Sequence, residues 1–414
     1  MTILLDDSPT VTVEIAFTDV NAVSEFKLGP SRLGVDTALA PAASTEWTDV
    51  STYVRGFTVK RGRTHELAEI EAGTATVTFN NRSRAFEPEF ASSPFYPNVL
   101  PLRPIRISAT WGTTTYRLYQ GFIEEWPQDW TIRDANTTVT CSDGFERLNN
   151  NEISASIAVA ALSGSHVDSL LTQANWTLGR DLKTGEVTIQ PVTTDRTAAL
   201  STIQDVAKTE LGYFFISGAG VATYHDQNYR RTLPVSAVFE DQASSANPYV
   251  DCKMTYSKAE IRNTITIQRS NGTPQSVTDS TSVTSFGTRS YNINTLHNVD
   301  GDAATMASQI RAAYANPHIR LESLTLRPRM KPTTLWDKAL GYDIGTRITV
   351  LRNPPQGGGA ISGDYFVEGV SHSYQQPANG SPKWETVWNL GPVALYSTGW
   401  VLGIDQLNVG TIPV

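Results

Sequence analysis

Residues 65–69, with the sequence HELAE, come closest to a metal-binding motif in this chain. A zinc-binding HExxH helix needs two histidines four residues apart, with a glutamate between them that acts as a base. Glu69 occupies the place of the second histidine, after His65 and Glu66. Because one imidazole cannot form that site, we interpret the stretch as a solvated acidic turn and predict no metal site there.

Two further short motifs resemble binding loops but lack the surroundings that such loops need. Residues 218–220, Gly-Ala-Gly, resemble the start of a dinucleotide loop, but strands are predicted on both sides instead of a helix that could hold a phosphate. Residues 300–302, Asp-Gly-Asp, are too short for a calcium loop of ~12 residues, and they predict a helix capped by Asp302. Glu124 and Glu125 are neighbours on a predicted strand, so they point to opposite faces and do not form an acid–base pair.

The remaining residues with catalytic potential are scattered along the chain. No two histidines have the spacing of metal ligands, and the sequence lacks GxSxG, GxxxxGK[ST] and CxxC motifs. The histidines are His65, His166, His225, His297, His318 and His372. We therefore predict that the protein is not an enzyme, with no catalytic residues, no cofactor and no bound metal.

The composition favours strands and argues against tight binding of nucleic acid. The 414 residues include 33 Lys and Arg against 41 Asp and Glu, which gives a net charge of −8, whereas a nucleic-acid site needs clustered cations. Charged residues make up only 18% of the chain, and much of the polar share is Ser, Thr and Asn, which favours β structure over helix. DNA could still pass such a protein without adhering to it.

The two cysteines, Cys141 and Cys252, are too few for a disulfide framework, and we expect each to lie in a strand as a small apolar side chain. No apolar run approaches the ~20 residues of a membrane span. The first residues, MTILLDDSPT, have no cationic leader and no long apolar core. The sequence therefore predicts a soluble protein that is made in the cytoplasm, without a signal peptide or a membrane span.

The elements of the chain are organised around a β-hairpin predicted at residues 341–374. Apolar and polar side chains alternate over residues 344–350, and a loop rich in Pro and Gly separates this run from a second one. Residues 101–130 repeat the pattern with a shorter Gly-Thr turn, and Gly121 and Gly369 stand at matching places in the two second strands. We interpret the two stretches as a weak internal duplication of one β-rich module.

The duplication predicts a mainly β protein with a small α+β insert and two related β-barrel-like tube modules. Residues 197–211 have the clearest helical spacing, 302–314 predict a second good helix, and 277–292 are predicted as extended. The predicted boundaries are 1–148 for the first tube module, 149–248 for the insert, 249–392 for the second tube module and 393–414 for a C-terminal arm.

Several stretches, taken in order, resemble the hub and minor tail proteins at the tail tip of long-tailed bacteriophages, particularly those of actinobacterial hosts. Residues 279–289 resemble the segment D-x-x-S-x-x-x-[YF]-G-x-R of that family. Residues 343–350 and 365–372 resemble its paired strands, IGD-x-V-x-V and Y-x-V-x-x-I-x-H. Residues 209–215 resemble its helix-to-hairpin step, and residues 400–411 resemble the end of actinophage minor tail proteins.

This resemblance implies a homotrimeric baseplate hub, in which two modules per chain form a pseudo-sixfold ring that joins a sixfold tail to a threefold tip. It implies the distal tail protein, the tape measure protein and other minor tail proteins as partners, with viral DNA passing through the channel without specific binding. The implied location is the tail tip of the virion, after synthesis in the cytoplasm of the host bacterium. Thr346 departs from the family pattern, which has Asp at that turn.

Three alternatives remain open at the level of the sequence. A hexameric distal tail protein would need only one tube module per chain, and a tail-associated cell-wall hydrolase would clear peptidoglycan. A glycan-binding protein could stack sugars on some of the nine tryptophans. Those tryptophans that lie in or beside predicted strands are expected to pack in the core instead, namely Trp47, Trp111, Trp126 and Trp130.

The terminal segment, residues 393–414, is apolar and carries no charged side chain except Asp405. We predict that it is an arm that docks on a neighbouring subunit or a tip protein, with Trp400, Leu402 and Leu407 as interface anchors. The alternative is a last strand that packs on its own domain.

Overall fold

The structure, a computed structural model, describes residues 8–18, 46–131, 134–377 and 380–393. Strands account for 40% of the residues and helices for 21%, so the predicted mainly β fold class is confirmed. The chain divides into two compact units. Unit 1 comprises Met1–Lys60, Gly73–Asp143 and His372–Trp384, and unit 2 comprises Arg61–Ala72, Gly144–Ser371 and Glu385–Val414.

The strands of the first third of the chain are β1 (Thr10–Ile15), β2 (Thr48–Asp49), β3 (Val54–Gly62), β4 (Glu71–Asn80), β5 (Pro104–Trp111), β6 (Thr114–Ile123), β7 (Asp129–Trp130) and β8 (Ala135–Ser142). The short strands that follow are β9 (Glu152–Ile153), β10 (Ser156–Ile157), β11 (Ala161–Leu162), β12 (Arg180–Leu182), β13 (Thr188–Ile189), β14 (Val192–Thr193), β15 (Thr197–Ala198), β16 (Tyr213–Ile216), β17 (Ala222–His225) and β18 (Val238–Glu240). The last strands are β19 (Asp251–Thr255), β20 (Thr264–Arg269), β21 (Gln275–Thr278), β22 (Ser290–Thr295), β23 (Arg320–Leu326), β24 (Arg347–Arg352), β25 (Ile361–Gln375) and β26 (Lys383–Pro392). The helices are α1 (Gly144–Asn149), α2 (Ser163–Gln173), α3 (Ala199–Thr209), α4 (Gln227–Thr232), α5 (Ser280–Phe286), α6 (Asp300–Tyr314) and α7 (Pro332–Gly341).

Unit 1 is built on a sheet with the strand order β3-β4-β8-β6-β5-β1-β2, to which β7 adds beside β8. Strands β5 and β6 form the hairpin predicted at residues 101–130, with Trp111 paired to Thr114 across the turn. Aromatic side chains fill the core, where the ring of Phe86 stacks on those of Phe95 and Trp126 at centroid distances of 5.4 and 5.7 Å. Large rings of this kind supply most of the buried apolar area in a small β unit.

Unit 2 contains a sheet with the strand order β19-β23-β26-β25-β24-β18. Strands β24 and β25 form the hairpin predicted at residues 341–374, with Arg352 paired to Ile361 at the loop end. A second layer consists of α2, α3 and the sheet β12-β17-β16, and a third consists of α6 with the sheet β21-β20-β22. Apolar side chains from all of these elements form one hydrophobic core.

The predicted division between insert and second tube module stays a prediction. Unit 2 holds the whole of residues 149–248 together with most of residues 249–392, and the boundary between Asp143 and Gly144 lies close to the predicted one at residue 148. The relation between the two predicted modules also stays a prediction, although both of its hairpins are present. The two cysteines are buried in strands β8 and β19, as predicted.

Two local predictions are wrong, and α7 is a helix that the sequence interpretation missed. Within the run predicted as extended, residues 280–286 form α5, because the Asp279 carboxylate accepts a hydrogen bond from the Ser282 backbone N–H and starts a helix. Helix α6 begins at Asp300, with Val299 at the N-cap, so Asp302 lies in the first turn and is not the cap. The predicted helix at 197–211 is confirmed as α3.

Candidate functional site: a buried ionic cluster in unit 2

Strand β25 places a carboxylate in the interior of unit 2. Its residues 365–370, with the sequence YFVEGV, are all buried, and Glu368 is 0% exposed. An unpaired charge in such a place would cost far more free energy than the fold can supply. Glu368 therefore requires partners that carry positive charge or donate hydrogen bonds.

Three side chains supply those partners, and we call them together with Glu368 the Glu368 cluster: Arg63, Tyr213 and Arg230. Arg63 Nε donates to Glu368 Oε2 at 2.8 Å, and an Arg230 guanidinium nitrogen donates to Oε1 at 3.1 Å. The Tyr213 hydroxyl also donates to Oε2. Both guanidinium groups lie over the Tyr213 ring, with the Arg63 and Arg230 guanidinium carbons 4.0 Å and 3.4 Å from its centroid, so cation–π attraction adds to the ion pairs.

These contacts determine the charge state of the carboxyl group. Burial raises the pKa of Glu368, but the positive charges of Arg63 and Arg230 and the hydrogen bond from Tyr213 lower it by more. The net effect is a pKa below the ordinary value of a glutamate. Glu368 is thus a carboxylate at neutral pH, in spite of its complete burial.

Glycines make room for the cluster. A Cβ added at Gly62, where φ is +92°, would lie 2.3 Å from the Glu368 carbonyl oxygen, and one at Gly391 would lie 2.6 Å from Glu368 Oε1. A Cβ at Gly369 would lie 2.7 Å from the Arg63 carbonyl oxygen. Gly121, the matching glycine of the other predicted hairpin, likewise faces a backbone carbonyl oxygen, at 2.4 Å. Both glycines singled out in the sequence therefore permit a close approach of another strand.

Residues 65–68 form a turn and Glu69 is exposed, as predicted, but Glu66 is anchored in the interior, so the prediction of a solvated stretch is wrong for Glu66. Glu66 is 3% exposed, and its carboxylate accepts hydrogen bonds from the guanidinium of Arg320 and from the hydroxyl of Tyr314. Its neighbour His65 pairs with Glu260. The hydrogen bond from His65 is the main cause that lowers the pKa of Glu260. The Glu66 carboxylate therefore serves as a buried counter-charge for Arg320.

A third ion pair, which is partly exposed, involves the same part of the chain. Arg61, which is 5% exposed, places a guanidinium nitrogen 2.8 Å from Oδ1 of Asp343, whose side chain is 35% exposed. Burial raises the pKa of Asp343, and the charge of Arg61 lowers it by more. We refer to residues 61–72 as the inserted segment, because unit 1 contains the residues on both sides of it while it belongs to unit 2. Arg61, Arg63 and Glu66 of this segment thus form ion pairs within unit 2, and the pairs of Arg63 and Glu66 are buried.

This arrangement is suited to holding a structure and not to turning over a substrate. Arg230 and Glu368 are both 0% exposed, so no substrate can reach them. Burial is the main cause that lowers the pKa of His225 and of His297 to about 4, so both are neutral near pH 7. Among the residues that the structure describes, no three His, Cys, Asp or Glu side chains form a group that could hold a metal ion.

The other candidate residues of the sequence are not brought together. Glu124 and Glu125 lie beyond the end of β6 and are exposed, so they do not occupy opposite faces of a strand. Trp126 is buried as predicted, but Trp130 is 55% exposed, so the expectation of core packing is wrong for Trp130. Residues 218–220 lie in the turn between β16 and β17, as predicted.

The predicted interface anchors Trp400, Leu402 and Leu407 lie outside the described residues. In the described part of the chain, no helix is both long enough and apolar enough to cross a membrane. The Glu368 cluster escaped the sequence interpretation, and the signal that could have found it is a single acidic residue inside the apolar run YFVEGV.

The fold is similar to those of two solved tail proteins. A tail protein from Neisseria meningitidis MC58 superposes with a TM-score of 0.59 at 8% identity, over 92% of this chain and 96% of that one. The 43 kDa tail protein of prophage MuSo2 from Shewanella oneidensis superposes with a TM-score of 0.55 at 12% identity, over 94% and 98% of the two chains. No protein-family model matches the sequence, and no curated protein matches it. At such identities the likeness is one of fold.

Proposed function

We propose that this chain is a structural protein of a phage tail, located at the tail tip of the virion, where it forms a homotrimeric baseplate hub. The observation that carries the proposal is the likeness of fold to two tail proteins, which extends over more than nine-tenths of this chain and of each of theirs. A likeness of that extent concerns the whole architecture and not one common module. No catalytic role and no cofactor enter the proposal.

The trimer proposal rests on two related modules per chain, and it is consistent with the two β-hairpins, one of which lies in each unit. Three chains with two modules each supply six positions around an axis, which is the number needed to meet a sixfold tail tube. The distal tail protein would then contact one side of the ring, and the tape measure protein and other minor tail proteins would contact it at the tip. Domain boundaries at residues 148, 248 and 392 belong to the same proposal.

The net charge of −8 supports a channel through which DNA passes without specific binding. An acidic channel wall repels the phosphate backbone of DNA, and a wall rich in Ser and Thr does not attract it, whereas clustered Lys and Arg would retain DNA. Purified assemblies should therefore show no retention of double-stranded DNA in a filter-binding assay at low salt. Retention that weakens as salt increases would contradict a non-adhesive channel.

The mass of the purified assembly tests the trimer. Native mass spectrometry should give about 136 kDa, three times the chain mass of 45.2 kDa, and image averaging should show a threefold ring with a central opening. A mass of about 271 kDa, six times the chain mass, would reject the hub in favour of a hexameric distal tail protein. A cleared band on a peptidoglycan zymogram would support the cell-wall hydrolase instead.

A further inference from the structure

A cavity of about 310 Å³ in unit 2 is lined mainly by polar side chains. It lies between the end of α3, the chain before β13 and the first turns of α6. Glu186 and Thr305 are exposed at this cavity, whereas Glu210, Gln227 and His297 are buried there. The cavity therefore reaches from the surface into the interior of unit 2, and its volume falls within the roughly 300–1,000 Å³ of small-molecule sites.

Glu210 follows the last residue of α3 and is 1% exposed, yet no Lys or Arg among the described residues forms an ion pair with it. Its carboxyl group accepts hydrogen bonds from the Ser163 and Tyr224 hydroxyls and, at 2.7 Å, from the Glu186 backbone N–H. Burial is the main cause that raises the pKa of Glu210, whereas two arginines lower the pKa of Glu368. Glu210 is thus a buried acid without a counter-charge in the described part of the chain.

Three further side chains of this cavity carry hydrogen-bond acceptors that have no donor among the described residues. Gln227 donates through its amide nitrogen to Gln309 Oε1 at 3.2 Å, and its own Oε1 accepts no hydrogen bond. His297 contacts the Thr295 hydroxyl through Nδ1 at 2.9 Å, and with the proton on Nδ1 its Nε2 is an acceptor. Asp302 forms neither an ion pair nor a hydrogen bond through its carboxylate, and no described Lys or Arg lines the cavity.

We propose that this cavity binds an alkylguanidinium group, with Glu210 and Asp302 as its counter-charges. The amide oxygen of Gln227 and Nε2 of His297 accept hydrogen bonds from its remaining N–H groups. A guanidinium has five N–H donors and no acceptor, whereas an ammonium has three donors, which is fewer than these four acceptor groups. Hydrogen bonds from a guanidinium to a carboxylate are charge-assisted and therefore strong.

Two other ligand classes fit this cavity less well. A bare metal ion needs several close ligands, and the described residues contain no group of three His, Cys, Asp or Glu side chains that could hold one. An anion would be repelled by Glu210 and Asp302. Glu186 also lines the cavity, but its carboxylate pairs with Arg231 at 3.2 Å and is already balanced.

The guanidinium group belongs either to a free small molecule or to an arginine side chain of another protein, and the experiment separates these two sources. The proposal is independent of whether this chain forms a tail hub, since it rests on the lining of one cavity within unit 2.

Isothermal titration calorimetry on the full-length chain at pH 7 and constant ionic strength tests the proposal. The probe is n-propylguanidinium, and the matched control is n-propylurea, which has nearly the same shape and no charge. The cation should bind with a saturable isotherm and n-propylurea should not, because only the cation balances the two carboxylates. Saturable binding of neither compound, or binding of n-propylurea at least as tight as that of the cation, would overturn the proposal.

Variants assign the binding to this cavity. Glu210→Gln and Asp302→Asn each remove one counter-charge, so each should weaken the binding of n-propylguanidinium by about tenfold. The control is Asp205→Asn on α3, which should leave the affinity unchanged, because its carboxylate is 54% exposed and pairs with Lys208 outside the cavity. Site variants that bind as tightly as the control would overturn the proposal. Asp302 has no partner among the described residues, so Asp302→Asn tests the site even if Glu210→Gln loses stability.

The peptide acetyl-Gly-Arg-Gly-amide identifies the source of the group. Saturable binding of this peptide to the unaltered protein, weakened by Asp302→Asn, would identify an arginine side chain of a partner protein as the ligand. Binding of n-propylguanidinium without binding of the peptide would identify a free small molecule, because a peptide backbone then does not fit at the opening of the cavity.

Discussion

Replacing Glu368 by glutamine should strongly destabilise unit 2, because the change removes one charge and almost nothing else. Glutamine has nearly the same size and can still accept the hydrogen bond of Tyr213, but it no longer balances the charges of Arg63 and Arg230. The pair Arg230–Glu368 is fully buried, with 0% exposure of both side chains. Removing one partner of a buried pair costs about 3–5 kcal/mol, and here two guanidinium groups lose their counter-charge.

That free energy translates into a large shift of the melting temperature. In a domain of roughly 150–250 residues each kcal/mol lowers Tm by about 2–4 °C, so the Glu368→Gln variant should melt roughly 6–20 °C lower. Differential scanning calorimetry at pH 7 measures the shift. The matched control is Glu385→Gln, which breaks the exposed pair with Arg327, where the two atoms are 2.9 Å apart and the side chains are 38% and 59% exposed.

An exposed pair contributes at most about 1 kcal/mol, so the Glu385→Gln control should melt within about 4 °C of the unaltered protein. Equal melting temperatures for the Glu368→Gln and Glu385→Gln variants would refute the view that the Glu368 cluster is a charge-balanced unit. Such a result would mean that water or structural relaxation compensates the positive charges of Arg63 and Arg230 at little cost in free energy.

The pH dependence of the Tm difference between the unaltered protein and the Glu368→Gln variant follows from the direction of the Glu368 pKa shift. Burial raises the pKa of Glu368, but Arg63 and Arg230 lower it by more, so the folded value lies below the unfolded value of about 4.3. Such a group contributes stability that is complete above the unfolded pKa and is lost as the pH falls through the folded pKa. The Tm difference between the unaltered protein and Glu368→Gln should therefore be equal at pH 7 and pH 6 and shrink only in acid, below about pH 4.

Three further outcomes are expected. Replacing Gly369 by alanine should lower Tm by an amount equivalent to about 1–3 kcal/mol, since the new Cβ would lie 2.7 Å from a backbone carbonyl oxygen. The control variant Gly359→Ala should leave Tm unchanged, because its Cβ would have no atom within 4 Å. Burial first, and then the charge of a nearby arginine, lower the pKa of His225 to about 4. As the pH falls from 6.5 to 4, the protein should therefore lose up to about 1.4 kcal/mol of unfolding free energy per pH unit. Urea unfolding of the His225→Phe variant should show a smaller loss over this pH range, and an unchanged loss would contradict the prediction. Burial raises the pKa of the Cys141 thiol, and it raises the pKa of the Cys252 thiol to about 11. Neither thiol should therefore react with Ellman's reagent until the protein is unfolded. Rapid reaction in the native state would contradict their burial.

Elements with a strong local pattern could be predicted from the sequence. The two hairpins follow from alternation interrupted by Pro and Gly, and α3 follows from helical spacing that ends before a glycine. Helix α5 was missed because its Ser and Thr residues have no helical pattern, and one hydrogen bond from Asp279 to the backbone decides its start. The local sequence thus predicts a helix or strand only where several neighbouring residues favour the same structure.

The site could not be predicted because its partners are distant in sequence. Glu66 looks like a solvated residue in an acidic stretch, and only the fold brings Arg320, 254 positions later, to its carboxylate. Arg63 and Glu368 are 305 positions apart. A sequence pattern describes neighbours along a helix or a strand, and it contains no information on which remote side chain neutralises a buried charge.

The three ion pairs of the inserted segment, two of which are buried, together favour one position of that segment. Arg61, Arg63 and Glu66 each pair with a residue of opposite charge in unit 2, at sequence separations of 282, 305 and 254. A shift of the segment by one residue would place uncharged Gly62 and Thr64 opposite the carboxylates of Asp343 and Glu368, and the unpaired charge of the buried Glu368 would cost several kcal/mol. A buried ion pair adds little stability compared with apolar side chains of the same volume, but it makes wrong arrangements costly. The charges of the inserted segment therefore favour one register of this segment within unit 2 over its alternatives.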